Sequence, residues 1–340
     1  MSNAVDTLDI QTLGRYLEAK IPDFRGPIEA EKFAGGQSNP TFRLHTASGD
    51  YVLRRKPPGQ LLKSAHAVDR EYRVLEGLAD TEVPVARAYH LCEDDDVIGS
   101  MFYVMSFEDG RIFWDPALPE LDKGERAAFH GEMVRVLAAM HNVDVDAVGL
   151  ADYGKPGNYF ERQVGRWSTQ YRSAETHTIE AMEQLLEWLP ASIPADDGQV
   201  SLIHGDYRLD NIVFDPSEPR AIAVLDWELS TLGHPLADIA YLCMCLRMPR
   251  EGVVQGLADL DRGDLGVPSE EELVAQYCDL RGIDGIDDWP FYLAFSFFRL
   301  AAICQGVYRR ALDGDASNRK AMQVGEMTEP LADMAVALIR

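Results

Sequence analysis

Apolar and polar positions follow two different rhythms along this chain, one before about residue 110 and one after it. In residues 6–20 the apolar side chains Leu8, Leu13 and Leu17 share one face, which predicts an amphipathic helix. Short runs with the composition of β-strands follow, and a second amphipathic helix at about residues 67–78 interrupts them. We expect the strands at residues 29–33, 41–46, 51–55, 86–91 and 101–107.

After residue 110 the pattern becomes that of long helices, with two short apolar runs that end near residues 203 and 225. The fold class that follows is α+β, with a small antiparallel sheet lobe crossed by one helix and a larger, mostly helical lobe. We place the lobes at residues 1–108 and 109–340. We expect the later helices at residues 125–141, 159–176, 178–188, 236–247, 269–281, 289–313 and 318–338.

Composition narrows the class of partner. With 340 residues and 46% hydrophobic content, the chain can bury a large core. The net charge of −24 argues against nucleic acids and anionic membrane surfaces as partners, and no apolar run approaches membrane-spanning length. The five cysteines have no metal-ligand spacing, so a reduced, cytoplasmic protein is the expectation. The sequence does not indicate an oligomeric state.

Candidate chemistry is concentrated in the segment 202–214 and in the aspartate that follows the second apolar run. Asp206 and Asn211 stand five residues apart, and Asp226 follows fifteen residues after Asn211. A carboxylate on the turn at Asp206 could accept the proton of a substrate hydroxyl, while Asn211 and Asp226 offer the oxygen ligands that Mg²⁺ prefers. The structural alternative makes Asp206 and Asn211 turn formers and Asp226 a helix cap.

This segment, with its His-Gly-Asp sequence at residues 204–206, resembles the catalytic loop of the aminoglycoside phosphotransferase family, a branch of the protein-kinase-like fold. The resemblance implies ATP and Mg²⁺ as cofactors and the hydroxyl of a small molecule as the phosphate acceptor. Residues 53–59, 159–171 and 298–308 are similar to the branch related to domains fused to acyl-CoA dehydrogenases, which suggests a hydroxyacyl-type acceptor. The alternatives are a nucleotide-binding regulator without turnover and an aminoglycoside kinase.

Other residues around the motif have less certain roles. Arg208, two residues after Asp206, could neutralise charge on the transferring phosphate or form a surface salt bridge. His204 and Asp238 match positions that brace the catalytic loop in this family, so we expect scaffolding from both. Glu228 could reach a second metal through water, but a role outside metal binding has equal weight.

On the nucleotide side, the candidates lie in the first lobe. The segment with Gly35, Gly36, Ser38 and Asn39 could cover phosphate with backbone and side-chain donors, although a Gly-Gly pair is also a common hairpin turn.

Strand alternation puts Val52 and Arg54 on one face. Arg54 stands where kinases use a lysine, and Glu71 on the crossing helix is its expected partner. We expect the segment from Met105 through Phe107 to Glu108 to form the connector against which adenine lies.

The acceptor pocket should come from the second lobe. The segments 158–167 and 297–300 both mix aromatic residues with arginines, which suits an acceptor with an apolar body and an anionic end. The alternative is that these aromatic residues are part of the core.

Overall fold

The computed structural model describes residues 8–33, 39–57, 67–252, 254–314 and 321–340. The chain divides into two compact units. The first unit contains residues 1–112, 146–150 and 211–230, and the second contains residues 113–145, 151–210 and 231–340. The predicted lobes, with their single boundary between residues 108 and 109, stay a prediction, since they were defined by expected function and not by packing.

The first unit is built on a five-stranded sheet with the strand order β1-β2-β3-β5-β4. All its neighbouring strands pair in the antiparallel sense. In the second strand, the buried Phe42 and Leu44 alternate with the more exposed Thr41 and Arg43, as the two-residue period of a strand requires. The strands are β1 (Glu29–Lys32), β2 (Thr41–Thr46), β3 (Gly49–Arg55), β4 (Ala88–Cys92) and β5 (Phe102–Ser106).

Two helices cover this sheet. Helix α1 (Ile10–Lys20) is capped by Asp9, whose side chain accepts a hydrogen bond of 3.1 Å from the backbone N–H of Thr12. Its Leu13 and Leu17 are fully buried in a core that includes Leu53, and each such leucine contributes about 1.5–3 kcal/mol. Helix α2 (Val68–Leu78) packs on β4 and β5, and its Glu71 is buried.

A β-hairpin from late in the sequence completes the first unit. Strand β7 (Ile212–Phe214) pairs antiparallel with β8 (Ala221–Val224). The residue at 110 must be small here, because a Cβ on Gly110 would lie 2.3 Å from the carbonyl oxygen of Phe214. This close approach ties the end of the segment 1–112 to the hairpin.

The second unit is mostly helical. Two of its helices begin with capping boxes, Asp122 with Glu125 and Ser269 with Glu272. Strand β6 (Ser201–Ile203) pairs with β9 (Thr231–Gly233). The loop at residues 204–208 follows β6, and α6 follows β9. The helices are α3 (Lys123–His141), α4 (Tyr159–Ala174), α5 (Glu180–Ala191), α6 (Leu236–Arg247), α7 (Arg262–Leu265), α8 (Glu270–Arg281), α9 (Trp289–Leu312), α10 (Ala321–Gly325) and α11 (Thr328–Leu338).

Helix α9 is the centre of this unit and packs against α4, α5, α6, α10 and α11. By length and composition it could cross a membrane, which corrects the expectation that no apolar run approaches that length. Most of its apolar window, 67%, is buried inside the protein, and the core helix of a soluble unit has this same composition.

The predicted elements are present in the expected order, with four differences. The helix predicted at 318–338 is two helices in the described residues, and Gly325 ends the first where a Cβ would lie 2.4 Å from the Tyr308 ring. Strands β7 and β9 and helix α7 were not predicted, because three or four residues are too few for a periodic pattern.

Candidate active site

In the first unit, Arg54 joins three acidic side chains. Its Nε lies 2.8 Å from Glu71 Oε2, the partner that the sequence indicated. Its Nη2 donates to Asp226 Oδ1 at 2.7 Å and lies 3.5 Å from Glu228 Oε2. The guanidinium fork can serve carboxylates on two sides at once, which a lysine ammonium at the same position could not do in this geometry.

Glu71 is the most enclosed member of this cluster, with its side chain 2% exposed. Its Oε1 accepts a hydrogen bond of 2.8 Å from Asn39 Nδ2, and its Oε2 accepts one of 3.0 Å from the Tyr103 hydroxyl. Burial raises the pKa of Glu71 to about 7, and the charge of Arg54 limits that rise. Burial and the neighbouring Glu71 also raise the pKa of Tyr103 well above its usual value, so the phenol stays a donor.

Asn211 and Asp226 lie at the same end of the β7–β8 hairpin. Asn211 immediately precedes β7, and Asp226 follows β8 by two residues. The backbone N–H of Leu225 donates to the carbonyl oxygen of Asn211 at 2.8 Å, which continues the strand pairing by one step. Asp226 has a left-handed backbone, with φ of 63° and ψ of 60°, a conformation that is uncommon for a residue other than glycine and often found at functional sites.

One cavity of about 250 Å³ in the first unit is lined by five of the seven predicted nucleotide and metal residues that the structure describes. Apolar side chains form much of its wall, as in most pockets for small molecules. Its lining includes Arg54, Met105, Phe107, Asn211 and Asp226.

Three predicted residues, Gly35, Gly36 and Ser38, lie outside the described residues. Asn39 is 1% exposed and its amide holds Glu71, a partner that the sequence did not indicate. Its predicted contact with phosphate, like the ligand contacts of the other residues, stays a prediction.

In the second unit, the side chain of Asp238 binds the backbone of the loop that follows β6. This carboxylate accepts hydrogen bonds from the backbone N–H groups of His204, at 2.6 Å, and Gly205, at 2.9 Å. Burial opposes its ionisation, but the hydrogen bonds from His141 and from His204 outweigh burial and hold the pKa of Asp238 below its usual range. The expected scaffolding role of Asp238 is confirmed by these contacts.

His204 is fully buried, and its Nδ1 lies 3.2 Å from the backbone N of Asp206. The ring therefore contacts the loop from inside, in agreement with the bracing that we expected of this residue.

Asp206, the predicted proton acceptor, is held by a residue that sequence reasoning missed. The Tyr241 hydroxyl on α6 donates to Asp206 Oδ1 at 2.6 Å. Burial, together with the neighbouring Cys245 and Asp206, raises the pKa of Tyr241 well above its usual value, so the proton stays on the phenol. The only available signal was the spacing of Tyr241 from Asp238, three residues apart and therefore on one face of the same helix.

Arg208 pairs with the loop's own acidic residues. Its Nη2 lies 2.7 Å from Asp210 Oδ2, and its Nε lies 3.7 Å from Asp206 Oδ1. The Arg208 side chain is 28% exposed. This exposure is compatible with both predicted roles, the surface salt bridge and the contact with a transferring phosphate.

The two segments predicted for the acceptor have different surroundings. Part of 158–167 lines a cavity of about 600 Å³ in the second unit, together with residues of α5 and the following loop. Phe297 and Phe298 are at most 1% exposed and belong to the core, as the structural alternative held. Arg299 faces the loop instead, and its Nη2 donates to the carbonyl oxygen of Gly205 at 2.8 Å.

Comparison with known proteins agrees with these arrangements. The model of the phosphotransferase enzyme family matches residues 29–281. The chain is 48% identical over 325 residues to acyl-CoA dehydrogenase family member 10 of Mus musculus, which covers 95% of this chain. The chain spans only 30% of the length of that relative.

Solved structures share the fold. A crystal structure from Ralstonia eutropha JMP134, described as a candidate aminoglycoside phosphotransferase, is 48% identical, with a TM-score of 0.90 over 98% of each chain. A ternary complex of aminoglycoside phosphotransferase APH(4)-Ia with AMP-PNP and hygromycin B is 15% identical, with a TM-score of 0.60 over 96% of this chain and 98% of that one.

The second match shows only that the α+β fold is kinase-like, whereas the family model and the close relatives decide the membership. They also confirm the resemblance to domains joined to acyl-CoA dehydrogenases. This chain belongs to the phosphotransferase enzyme family.

Proposed function

We propose that this protein is a small-molecule kinase that transfers the γ-phosphate of ATP to a hydroxyl group. The observation that carries the proposal is a cavity in the first unit that Arg54, Asn211 and Asp226 line together. A cation for phosphate and two oxygen ligands for a metal are the parts that phosphoryl transfer from Mg-ATP requires.

The adenine would lie on the connector after β5. Met105 pairs with Val52 in the sheet, and the backbone N–H of Ser106 donates to the carbonyl oxygen of Arg87 at 2.9 Å. The backbone groups of Phe107 and Glu108, beyond the end of the strand, are therefore the proposed readers of the base edge. The Arg43 guanidinium lies 3.7 Å from the centre of the Phe107 ring and fixes its orientation.

Asn211 and Asp226 fit Mg²⁺. Mg²⁺ takes few protein oxygens and completes its octahedron with water and phosphate, so one amide and one carboxylate suffice. The described residues contain no group of three or more His, Cys, Asp or Glu side chains able to hold a metal. The ion would neutralise charge on the phosphates during transfer.

Arg54 carries a second role in this proposal. Without nucleotide, its guanidinium neutralises Asp226 and thereby keeps the metal ligand from standing as an uncompensated carboxylate. Phosphate and Mg²⁺ would divide this pair, because the guanidinium prefers a phosphate and the carboxylate prefers the cation. Glu71, held by Asn39 and Tyr103, keeps the arginine in place throughout.

Asp206 would orient the acceptor hydroxyl and take its proton as the phosphate bond forms. Tyr241 fixes one carboxylate oxygen, and Asp238 fixes the loop backbone on which Asp206 stands. Arg208 would steady the negative charge around the transferring group.

For the acceptor we propose a chemical class only. The relationship to acyl-CoA dehydrogenase family member 10 of Mus musculus, of which the chain spans 30%, supports a hydroxyacyl compound. The complex of a structural neighbour with hygromycin B supports an aminoglycoside, but that neighbour is only 15% identical. We also propose a cytoplasmic protein without nucleic acid or membrane partners, on the ground of its charge of −24.

Two experiments test the function. Mg-ATP should raise the melting temperature of the wild type, and Asp226→Ala should remove most of that increase. ADP release with a panel of hydroxy compounds should then occur in the wild type and be lost in Asp206→Asn. An unchanged melting temperature would contradict nucleotide binding, whereas nucleotide binding without turnover of any compound would favour the regulator.

A further inference from the structure

Three arginines of the second unit are set apart by their surroundings. Arg162 and Arg166 lie on α4, and Arg299 lies on α9. Within the described part of the chain, no carboxylate lies within 4.0 Å of any of the three. The protein has 56 acidic residues against 32 lysines and arginines, so carboxylates outnumber the cations that could pair with them.

Two of these guanidiniums lie against one aromatic ring. The Cζ atom of Arg166 is 5.4 Å from the centre of the Trp167 ring, and that of Arg299 is 5.7 Å from it. The ring attracts both cations, but cation–π attraction of about 0.5–2 kcal/mol does not neutralise either charge. Two like charges on one ring therefore favour an anion that contacts both.

The pKa of the buried Tyr159 hydroxyl depends on the same three arginines. Burial raises the pKa of Tyr159 to about 12, and the charges of Arg299, Arg162 and Arg166 oppose that rise. Asp238 acts on the same hydroxyl in the opposite sense. The three arginines thus act on one buried hydroxyl, although Arg299 is far from the other two in sequence.

One of these arginines adjoins the proposed proton acceptor within the same unit. Arg299 donates to the carbonyl oxygen of Gly205, the residue directly before Asp206. Its Cζ atom also lies 5.8 Å from the centre of the Tyr241 ring, whose hydroxyl holds Asp206. An anion bound here would be part of a molecule that reaches the loop.

We infer that Arg166, Trp167 and Arg299 form a subsite for an anionic group, a carboxylate or a phosphate, carried by the hydroxyl-bearing acceptor. The inference rests on the proposed kinase function and specifies the charge of its substrate. Arg299 would bind the anion directly and Trp167 would pack against the adjoining apolar part. An acceptor with several ammonium groups would meet repulsion at the same place.

Binding at this subsite can be measured without turnover. In ¹⁵N-tryptophan NMR spectra, the Trp167 indole signal is assigned with Trp167→Phe, and the protein is titrated with sodium phosphate against sodium chloride of equal ionic strength. We expect a saturable shift with phosphate that the Arg166→Gln/Arg299→Gln protein loses. An equal shift with chloride, or an unchanged shift in the double variant, would refute the subsite.

The same spectra test whether a nucleotide occupies the subsite. If Mg-ADP moves the Trp167 signal and then blocks the effect of phosphate, the arginines serve the nucleotide and the acceptor assignment is wrong. An unaltered phosphate titration in the presence of Mg-ADP supports it.

Turnover tests the specificity. We would compare 6-hydroxyhexanoate, its neutral amide and 6-aminohexan-1-ol, three acceptors that differ in the charge of one end. The wild type should prefer the carboxylate over the amide by about 10- to 100-fold in kcat/KM, the amine should be poorest, and Arg299→Gln should remove most of this ranking. A wild type that prefers the amine would overturn the inference.

Arg309→Gln is the matched control, because Arg309 lies on the same helix and its Nε is 3.1 Å from Asp313 Oδ2 in an exposed pair. It should keep the wild-type ranking. A wild type that releases no ADP with any acceptor would count against the kinase proposal, while the NMR titration would still decide whether the anion subsite exists.

Discussion

The hydroxyl of Tyr241 donates a hydrogen bond of 2.6 Å to Oδ1 of Asp206, from a helix that begins thirty residues after Asp206. A donor to a carboxylate fixes its orientation. Tyr241 is therefore a positioning residue for the proton acceptor under the proposed function.

Tyr241→Phe should lower kcat by about 10-fold, on the scale of one hydrogen bond to a charged group, with little change in the KM for the acceptor. The effect should lie in kcat, because the missing donor positions the carboxylate and does not itself bind the acceptor. Tyr171→Phe, which removes a buried hydroxyl on α4, should leave both kcat and KM at the wild-type values. An unchanged kcat, or a higher KM at the wild-type kcat, would contradict the assigned role.

Arg54→Lys should lower the stability of the first unit, even though kinases use a lysine at this position. The guanidinium contacts Glu71 through Nε and Asp226 through Nη2, and a single ammonium cannot keep both contacts. We expect a loss of about 1–2 kcal/mol in the free energy of unfolding, measured with urea. Arg43→Lys, at a more exposed pair with Asp50 on a neighbouring strand, should lose less than about 1 kcal/mol.

Glu71 should give the first unit a pH-dependent stability. Its pKa is raised from 4.5 to about 7 in the folded protein, so between these values the folded state binds more protons than the unfolded state. Its contribution to the free energy of unfolding is therefore full below pH 4.5 and decreases as the pH rises to 7, by at most about 3 kcal/mol.

Glu71→Gln imitates the protonated form and removes this dependence. The difference in the free energy of unfolding between the variant and the wild type should grow in favour of the variant from pH 4.5 to 7. A difference that shrinks over this range would mean that the ion pair with Arg54 outweighs burial.

Asp238→Ala should be strongly destabilising. It removes the acceptor of two buried backbone N–H groups, those of His204 and Gly205, and each unsatisfied group costs about 1–3 kcal/mol. Urea unfolding should therefore show a loss of about 2–5 kcal/mol. Asp313→Ala, at an exposed pair one helical turn from Arg309, should change the stability by less than about 0.5 kcal/mol.

The sequence predicted those parts of the molecule that depend on local pattern. The alternation of β3 placed Val52 and Arg54 on one face, and the loop at 204–211 followed from its own spacing. In both cases the relevant residues are close in sequence or repeat at a fixed period. The pairing of Arg54 with Glu71 came instead from the kinase pattern, in which a cation on this strand pairs with a glutamate on the crossing helix.

Contacts between distant segments were not predictable in this way. Nothing near Asp206 indicates that Tyr241 would hold it, and nothing near Glu71 indicates Tyr103 as its donor. The ring of Tyr308 likewise lies where a Cβ at Gly325 would be, and no local pattern indicates that contact. Single-residue patterns carry no information about such packing partners, because the fold alone brings them together.

The hairpin that joins the first unit from residues 211–230 has a consequence for how the protein is made. The ribosome releases the five-stranded sheet early, but the strands that complete this unit emerge only after α3, α4 and α5 have been synthesised. The sheet must therefore wait for its last segment, and any fragment that stops before residue 226 lacks Asp226, while one that stops before residue 211 lacks Asn211 as well. Cutting the gene at the apparent end of the sheet would yield a polypeptide without the proposed metal ligands, so the first unit can be transplanted into another protein only together with the segments that thread back to it.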